Sequence, residues 1–77
     1  MQTGYYRHFK DMPYQVIDIA LHSETQEEYV VYRALYGERR LFIRPKTMFF
    51  EDVTRDGTTK PRFQFISPDI PKELYGE

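Results

Sequence analysis

Tyr29-Val30-Val31-Tyr32-Arg33-Ala34-Leu35-Tyr36-Gly37-Glu38-Arg39-Arg40-Leu41-Phe42-Ile43-Arg44-Pro45 decides how this chain folds. It holds two runs rich in β-branched and aromatic residues around a polar turn, and Gly37 can take the positive φ that such a turn requires. The spacing predicts an antiparallel hairpin, with strands over 29–36 and 41–44. Upstream, residues 14–22 form a third extended run dominated by Val16, Ile17 and Ile19. Strict alternation would place Gln15, Ile17, Ile19 and Leu21 on one face and Tyr14, Val16, Asp18, Ala20 and His22 on the other. The polar segment 23–28 is too short for a helix, so it reads as a loop between antiparallel strands.

The same punctuation runs to both ends. Residues 5–9 form a short first strand, and Lys10-Asp11-Met12-Pro13 is a turn. Pro45 ends the fourth strand, and residues 46–49 are expected to make a single helical turn before the chain resumes as extended backbone to Val53. Asp56-Gly57 marks a turn within the polar stretch 54–60. Residues 62–66 are a last alternating strand with Phe63 and Phe65 inward, and 67–77 form a C-terminal tail carrying Ile70, Leu74 and Tyr75.

The fold class expected is therefore all-β: one small domain over residues 1–77, built as a bent barrel of five to six short antiparallel strands. A chain of 77 residues has room for one core, and seven tyrosines with six phenylalanines supply much of it. The chain contains no cysteine, which excludes a disulfide scaffold and a thiolate metal site and makes the cytoplasm the expected compartment. Residues 1–10 lack the apolar core of a leader, and no apolar run reaches membrane-spanning length, so a soluble, unprocessed protein with no membrane partner is expected.

A net charge of −1 argues against strong non-specific binding to nucleic acid. The charge is nevertheless polarised: residues 11–38 carry six acids against one base, whereas 39–62 carry seven bases against three acids. Either the two segments neutralise each other in the fold, or the second forms a basic surface.

The ordered set Tyr6-Arg7-His8-Phe9-Lys10, His22-Ser23-Glu24-Thr25, Val30-Val31-Tyr32-Arg33-Ala34-Leu35-Tyr36-Gly37, Arg44-Pro45-Lys46-Thr47-Met48-Phe49 and Pro61-Arg62-Phe63 resembles the bacterial family of domains of unknown function numbered 1653, over about residues 4–66. The resemblance implies an SH3-like barrel and brings no activity, ligand or catalytic residue with it. At Asp11-Met12 the chain departs from the family pattern, which often has glycine after the Lys10 position, and this bears on the turn geometry alone.

Four site readings follow from residue chemistry. A small hydrolase or nucleotide-handling enzyme would use His22 and Glu24 as an acid–base pair, Ser23 as nucleophile and Arg44 as an anion clamp. Neighbours on extended chain diverge, so Ser23 and Thr25 are better read as bonding the loop backbone. A metal site would need His8, His22 and Glu24, Glu27 or Glu28 to converge, and no pair stands at a recognised ligand spacing. Tyr5, Tyr6, Tyr14, Tyr29, Tyr32 and Tyr36 would line a peptide groove if exposed on one face. Arg39, Arg40, Arg44, Lys46, Arg55, Lys60 and Arg62, with Tyr36, Phe42 and Phe49 near them in sequence, have the composition of a nucleic-acid surface.

The leading expectation is a non-enzymatic binding module without a metal or cofactor. It would contact a protein or nucleic-acid partner through the 22–28 loop and the basic 39–62 surface, with His22, Glu24, Tyr36, Arg44 and Arg62 as ligand-binding residues. A monomer or weak homodimer is expected, because a short open barrel leaves unpaired strand edges.

Overall fold

The structure is a computed structural model and describes residues 2–75; positions 1, 76 and 77, including the last two of the expected tail, lie outside the described residues. The chain runs β1 (Gly4–His8), β2 (Pro13–Leu21), β3 (Glu28–Ala34), β4 (Leu41–Pro45), α1 (Lys46–Phe49), β5 (Asp52–Arg55), β6 (Thr58–Pro61) and β7 (Phe63–Ser67), followed by a 3-10 turn at Lys72–Leu74. Five strands form one antiparallel sheet in the order β4-β3-β2-β1-β7, and β5 and β6 pair as a separate two-stranded ribbon. The fold is the expected small all-β class. The large sheet is open, with β4 and β7 as its edges.

β3 follows the period-2 reading: Val30, Tyr32 and Ala34 are buried, while Val31 and Arg33 between them are only half-buried. β2 does not. Its pairing with β3 shifts between Val16 and Asp18, leaving Ile17 as the extra residue of a β-bulge. The insertion moves every later side chain of β2 to the other face, so Val16 and Ile19 pack on the same core and Ile17 is exposed. Strict alternation is corrected here by one inserted residue.

The principal core lies on one face of the sheet. It joins Tyr6, Val16, Val30, Tyr32, Phe49 and Phe63, with Tyr14, Ile19 and Phe65 packed against them. Phe49, carried by α1, stacks on Phe63 at 4.1 Å and 3° between ring planes. The helical turn thus delivers the ring that closes this face. Tyr5, next to Tyr6, points to the opposite face and packs with Leu35, Ile70 and Leu74. The tail supplies that second cluster, and Arg39 Nη1 donates to the Leu74 carbonyl at 2.7 Å. Tyr75 remains exposed.

One strand more than expected is present. Residues 54–60 are not simply a turn: Asp56 (φ 53°) and Gly57 (φ 78°) form the two-residue tip of the β5–β6 hairpin, with Arg55 opposite Thr58. Among the described residues no helix is long and apolar enough to cross a membrane.

Candidate functional site

The turn after β1 builds the most distinctive surface of the molecule. His8 N–H donates to the Met12 carbonyl, Asp11 N–H to the His8 carbonyl at 2.7 Å, and Phe9 N–H to the Arg62 carbonyl at 2.9 Å. Asp11 takes φ 72°, the left-handed region in which glycine is unstrained. Lys10 N–H adds a bond to His8 Nδ1 at 3.1 Å.

This turn holds Phe9 among three cations. The Arg55 guanidinium lies 5.6 Å from the ring centroid, and Arg62 and Lys10 each lie 5.9 Å away. Beside the ring is a cleft of about 310 Å³ lined by Phe9, Val53, Arg55, Asp56, Thr58 and Lys60. Among the described residues, no carboxylate pairs with Arg55, Lys60 or Lys10, whereas Arg62 Nη2 bonds Glu51 Oε2 at 2.6 Å. The Arg62 Nε is shielded and has no hydrogen-bond partner.

From Phe9 a chain of rings continues along the core face. His8 meets Phe9 at 4.4 Å and Tyr14 at 6.1 Å, and Tyr14 meets Tyr36 edge-on at 5.5 Å, their hydroxyls sharing a hydrogen bond. Arg44 flanks the strip and donates from Nε to Tyr32 Oη at 3.4 Å. Burial, then the cationic Arg62, Lys10 and Arg44, hold His8 below the usual histidine range. Burial and the bond to Tyr36 push the Tyr14 phenol well above its usual range.

Tyr36, Arg44 and Arg62 therefore lie along one strip. His22 and Glu24 do not. His22 stands at the end of β2, where its Nδ1 accepts the amide N–H groups of Glu24 at 3.2 Å and Thr25 at 3.3 Å. Thr25 Oγ1 in turn accepts the Glu27 amide, and the loop closes through bonds between His22 and both Glu27 and Gln26. The imidazole organises the loop through Nδ1, which both amides reach.

The faces also differ. Ala20, Leu21, His22, Tyr29 and Ile43 line a shallow apolar groove of about 160 Å³. Arg44 follows Ile43 in β4 and so projects to the opposite side of the sheet. The acid–base pair with an arginine clamp required these side chains to converge, and the sheet keeps them apart.

Tyr5, Tyr6 and Tyr32 are buried, and each hydroxyl has a partner: Tyr5 accepts from Arg7 at 2.7 Å, Tyr6 donates to the Gln2 carbonyl at 2.6 Å, and Tyr32 accepts from Arg44. A tyrosine-lined groove is thereby lost, because these rings complete a core short of aliphatics. Among the described residues no three His, Asp or Glu side chains are placed to hold a metal ion.

The basic 39–62 segment is divided. Lys46 pairs with Glu28 at 3.2 Å and Arg62 with Glu51, while Arg55 and Lys60 remain open beside Phe9. Sequence reasoning missed Phe9 and Lys10 as site residues. The signal was a ring followed directly by a lysine in a turn, but Arg55 and Arg62 join them only through the fold.

No curated protein matches this chain. A family model described as a protein of unknown function (DUF1653) matches residues 4–65. The crystal structure of a DUF1653 protein from Bordetella bronchiseptica is similar at 30% identity and a TM-score of 0.83, covering 94% of this chain and 95% of that one. With most of its length matched and a solved relative of the same architecture, the chain belongs to the DUF1653 family.

Proposed function

We propose that the domain is a non-enzymatic binding module whose partner carries anionic groups and planar rings, single-stranded nucleic acid being the class that has both. The observation that carries this reading is the Phe9 ring set among Arg55, Arg62 and Lys10 at 5.6–5.9 Å, beside a cleft bordered by Lys60. Bases stack on rings, and free cations displace the counterions of a phosphate chain. The proposed surface leaves out the 22–28 loop, whose His22 and Thr25 side chains bond the loop's own backbone. A cysteine-free chain suits a reducing compartment, and the cytoplasm is the setting proposed.

Fluorescence anisotropy with a labelled oligothymidylate or oligouridylate tests the reading. Among the described residues, the cations around Phe9 and its cleft that lack a carboxylate partner, Lys10, Arg55 and Lys60, give a salt slope near −2 if the partner meets these three alone, so affinity falls roughly 20-fold between 50 and 200 mM salt. Phe9→Leu keeps the apolar bulk and removes the stacking face, weakening binding by about 5-fold or more. Absence of binding at low ionic strength rejects nucleic acid as the partner.

A further inference from the structure

We propose that β4 is a self-complementary edge through which two copies of the chain pair antiparallel about Ile43. β4 is an outer strand of the large sheet, and its three consecutive apolar residues are all exposed: Leu41 by 53%, Phe42 by 44% and Ile43 by 65%. An edge of this kind is normally blunted by charge, a bulge or a cover.

The backbone fixes which groups are free. Ala34 N–H donates to the Arg40 carbonyl at 3.1 Å, and the β3–β4 register continues through Arg33 opposite Leu41 and Val31 opposite Ile43. Antiparallel ladders alternate, so Arg40, Phe42 and Arg44 turn their polar backbone groups toward β3, and Leu41, Ile43 and Pro45 turn theirs outward. Pro45, lacking an N–H, occupies an outward position where no donor is lost to the sheet.

Five registers align these outward groups between two copies, and the two centred on Arg44 and Pro45 run the pairing into α1 (Lys46–Phe49) of the second copy. Centred on Leu41, the pairing reaches Arg39, whose φ of 56° takes it out of the strand. Centred on Phe42, it sets Arg40 directly against Arg44 of the second copy, twice. Centred on Ile43, it pairs Ile43 with itself and lets Leu41 N–H donate to the opposite Pro45 carbonyl, so both free N–H groups of each strand are satisfied. Phe42 then faces Arg44 of the other copy, a cation–π arrangement. Arg40 comes opposite Lys46, which already has Glu28 at 3.2 Å.

The groove supplies an independent fit. Pro45 is paired with Tyr29, so the Leu41 side chain of the second copy lies beside the apolar hollow of Ala20, Leu21, His22, Tyr29 and Ile43. A contact of five residues a side falls below the roughly 1,200 Å² of standard stable interfaces, which makes this a concentration-dependent dimer.

The absence of cysteine gives a clean test. In the Ile43-centred register the two Ile43 Cα atoms lie about 5.5 Å apart, within disulfide reach, whereas the two Leu41 Cα atoms are separated by about 14–15 Å. Ile43→Cys is expected to oxidise to a covalent dimer at least 10-fold faster than Leu41→Cys. Sedimentation of the unmodified chain is expected to move from 9.4 kDa toward twice that mass between micromolar and millimolar concentration, and Ile43→Lys to remain at 9.4 kDa with an unchanged circular dichroism spectrum. A wild-type monomer at millimolar concentration, or equal oxidation of the two cysteine variants, overturns the proposal.

Discussion

Replacing Gly4 by alanine tests the way β1 is seated between β2 and β7. Gly4 holds φ +128°, and a Cβ built there would stand 2.6 Å from the Ser67 carbonyl oxygen, 2.8 Å from Pro68 Cα and 2.9 Å from the Pro68 oxygen. Every obstacle is backbone, so no side chain can swing aside. The dihedral strain costs about 1–3 kcal/mol and the overpacking about 1–3 kcal/mol more, against a gain of about 0.4–1 kcal/mol from a stiffer unfolded chain. A net loss of roughly 1–6 kcal/mol stands against the ~4–12 kcal/mol that a domain of this size holds. The loss falls where Tyr5 pairs with Ser67, so relief by separating β1 from β7 would also detach Ile70 and Leu74 from Tyr5 and Leu35. Gly37→Ala is the control: φ is +59° and nothing lies within 4 Å, leaving a left-handed penalty of about 1–2 kcal/mol. In urea denaturation followed by circular dichroism, with m of about 1 kcal/mol/M, the Gly4→Ala midpoint falls by at least about 1 M or the protein does not fold. A Gly4→Ala midpoint within 1 M of wild type and no lower than that of Gly37→Ala refutes the argument.

Two other perturbations separate the strip from the loop. Because burial and the neighbouring Arg62, Lys10 and Arg44 lower the folded-state pKa of His8, the unfolded chain binds its proton more readily. The His8 contribution is thus fully present above about pH 6.5 and is lost as pH falls from there through the folded value, below which it is constant. Denaturation curves for wild type and His8→Gln should converge between pH 7.5 and 5; parallel curves would contradict this. His22→Ala removes the acceptor of two exposed amides, at a cost of about 1 kcal/mol in urea denaturation, and leaves oligonucleotide affinity unchanged. A loss of binding in that variant would move the contact surface to the 22–28 loop.

What was legible in the sequence follows from which residues had one buried face. Val30, Tyr32 and Ala34 alternate cleanly because one side of β3 is core, and the Asp56-Gly57 tip is readable because two successive positive φ values favour those residue types. β6 was hidden: Thr58, Thr59, Lys60 and Pro61 are all exposed, so no apolar period marks them, and their pairing depends on the turn before them. The bulge at Ile17 was hidden too, since Val16, Ile17 and Ile19 are equally apolar and only the register shows which one is extra. The site was the least legible part. Which face Arg44 shares, and with whom, is a property of strand register that local composition does not carry.

The same dependence on assembly changes the meaning of Arg62. As a basic residue beside Phe63 it invites a reading as a ligand contact, yet three of its bonds are internal. Its amide donates to the Glu51 carbonyl at 3.0 Å, its Nη2 holds Glu51 Oε2, and its carbonyl receives the Phe9 amide. Arg62 therefore ties the base of the β5–β6 hairpin to the turn that carries Phe9, and its guanidinium reaches the ring as part of that tie. Around Phe9, the cations left for a partner among the described residues are Arg55 and Lys60 on the hairpin and Lys10 on the turn. The width of the cleft between these two pieces is set at Arg62, so this residue is better understood as positioning the strip than as a charge that the partner meets.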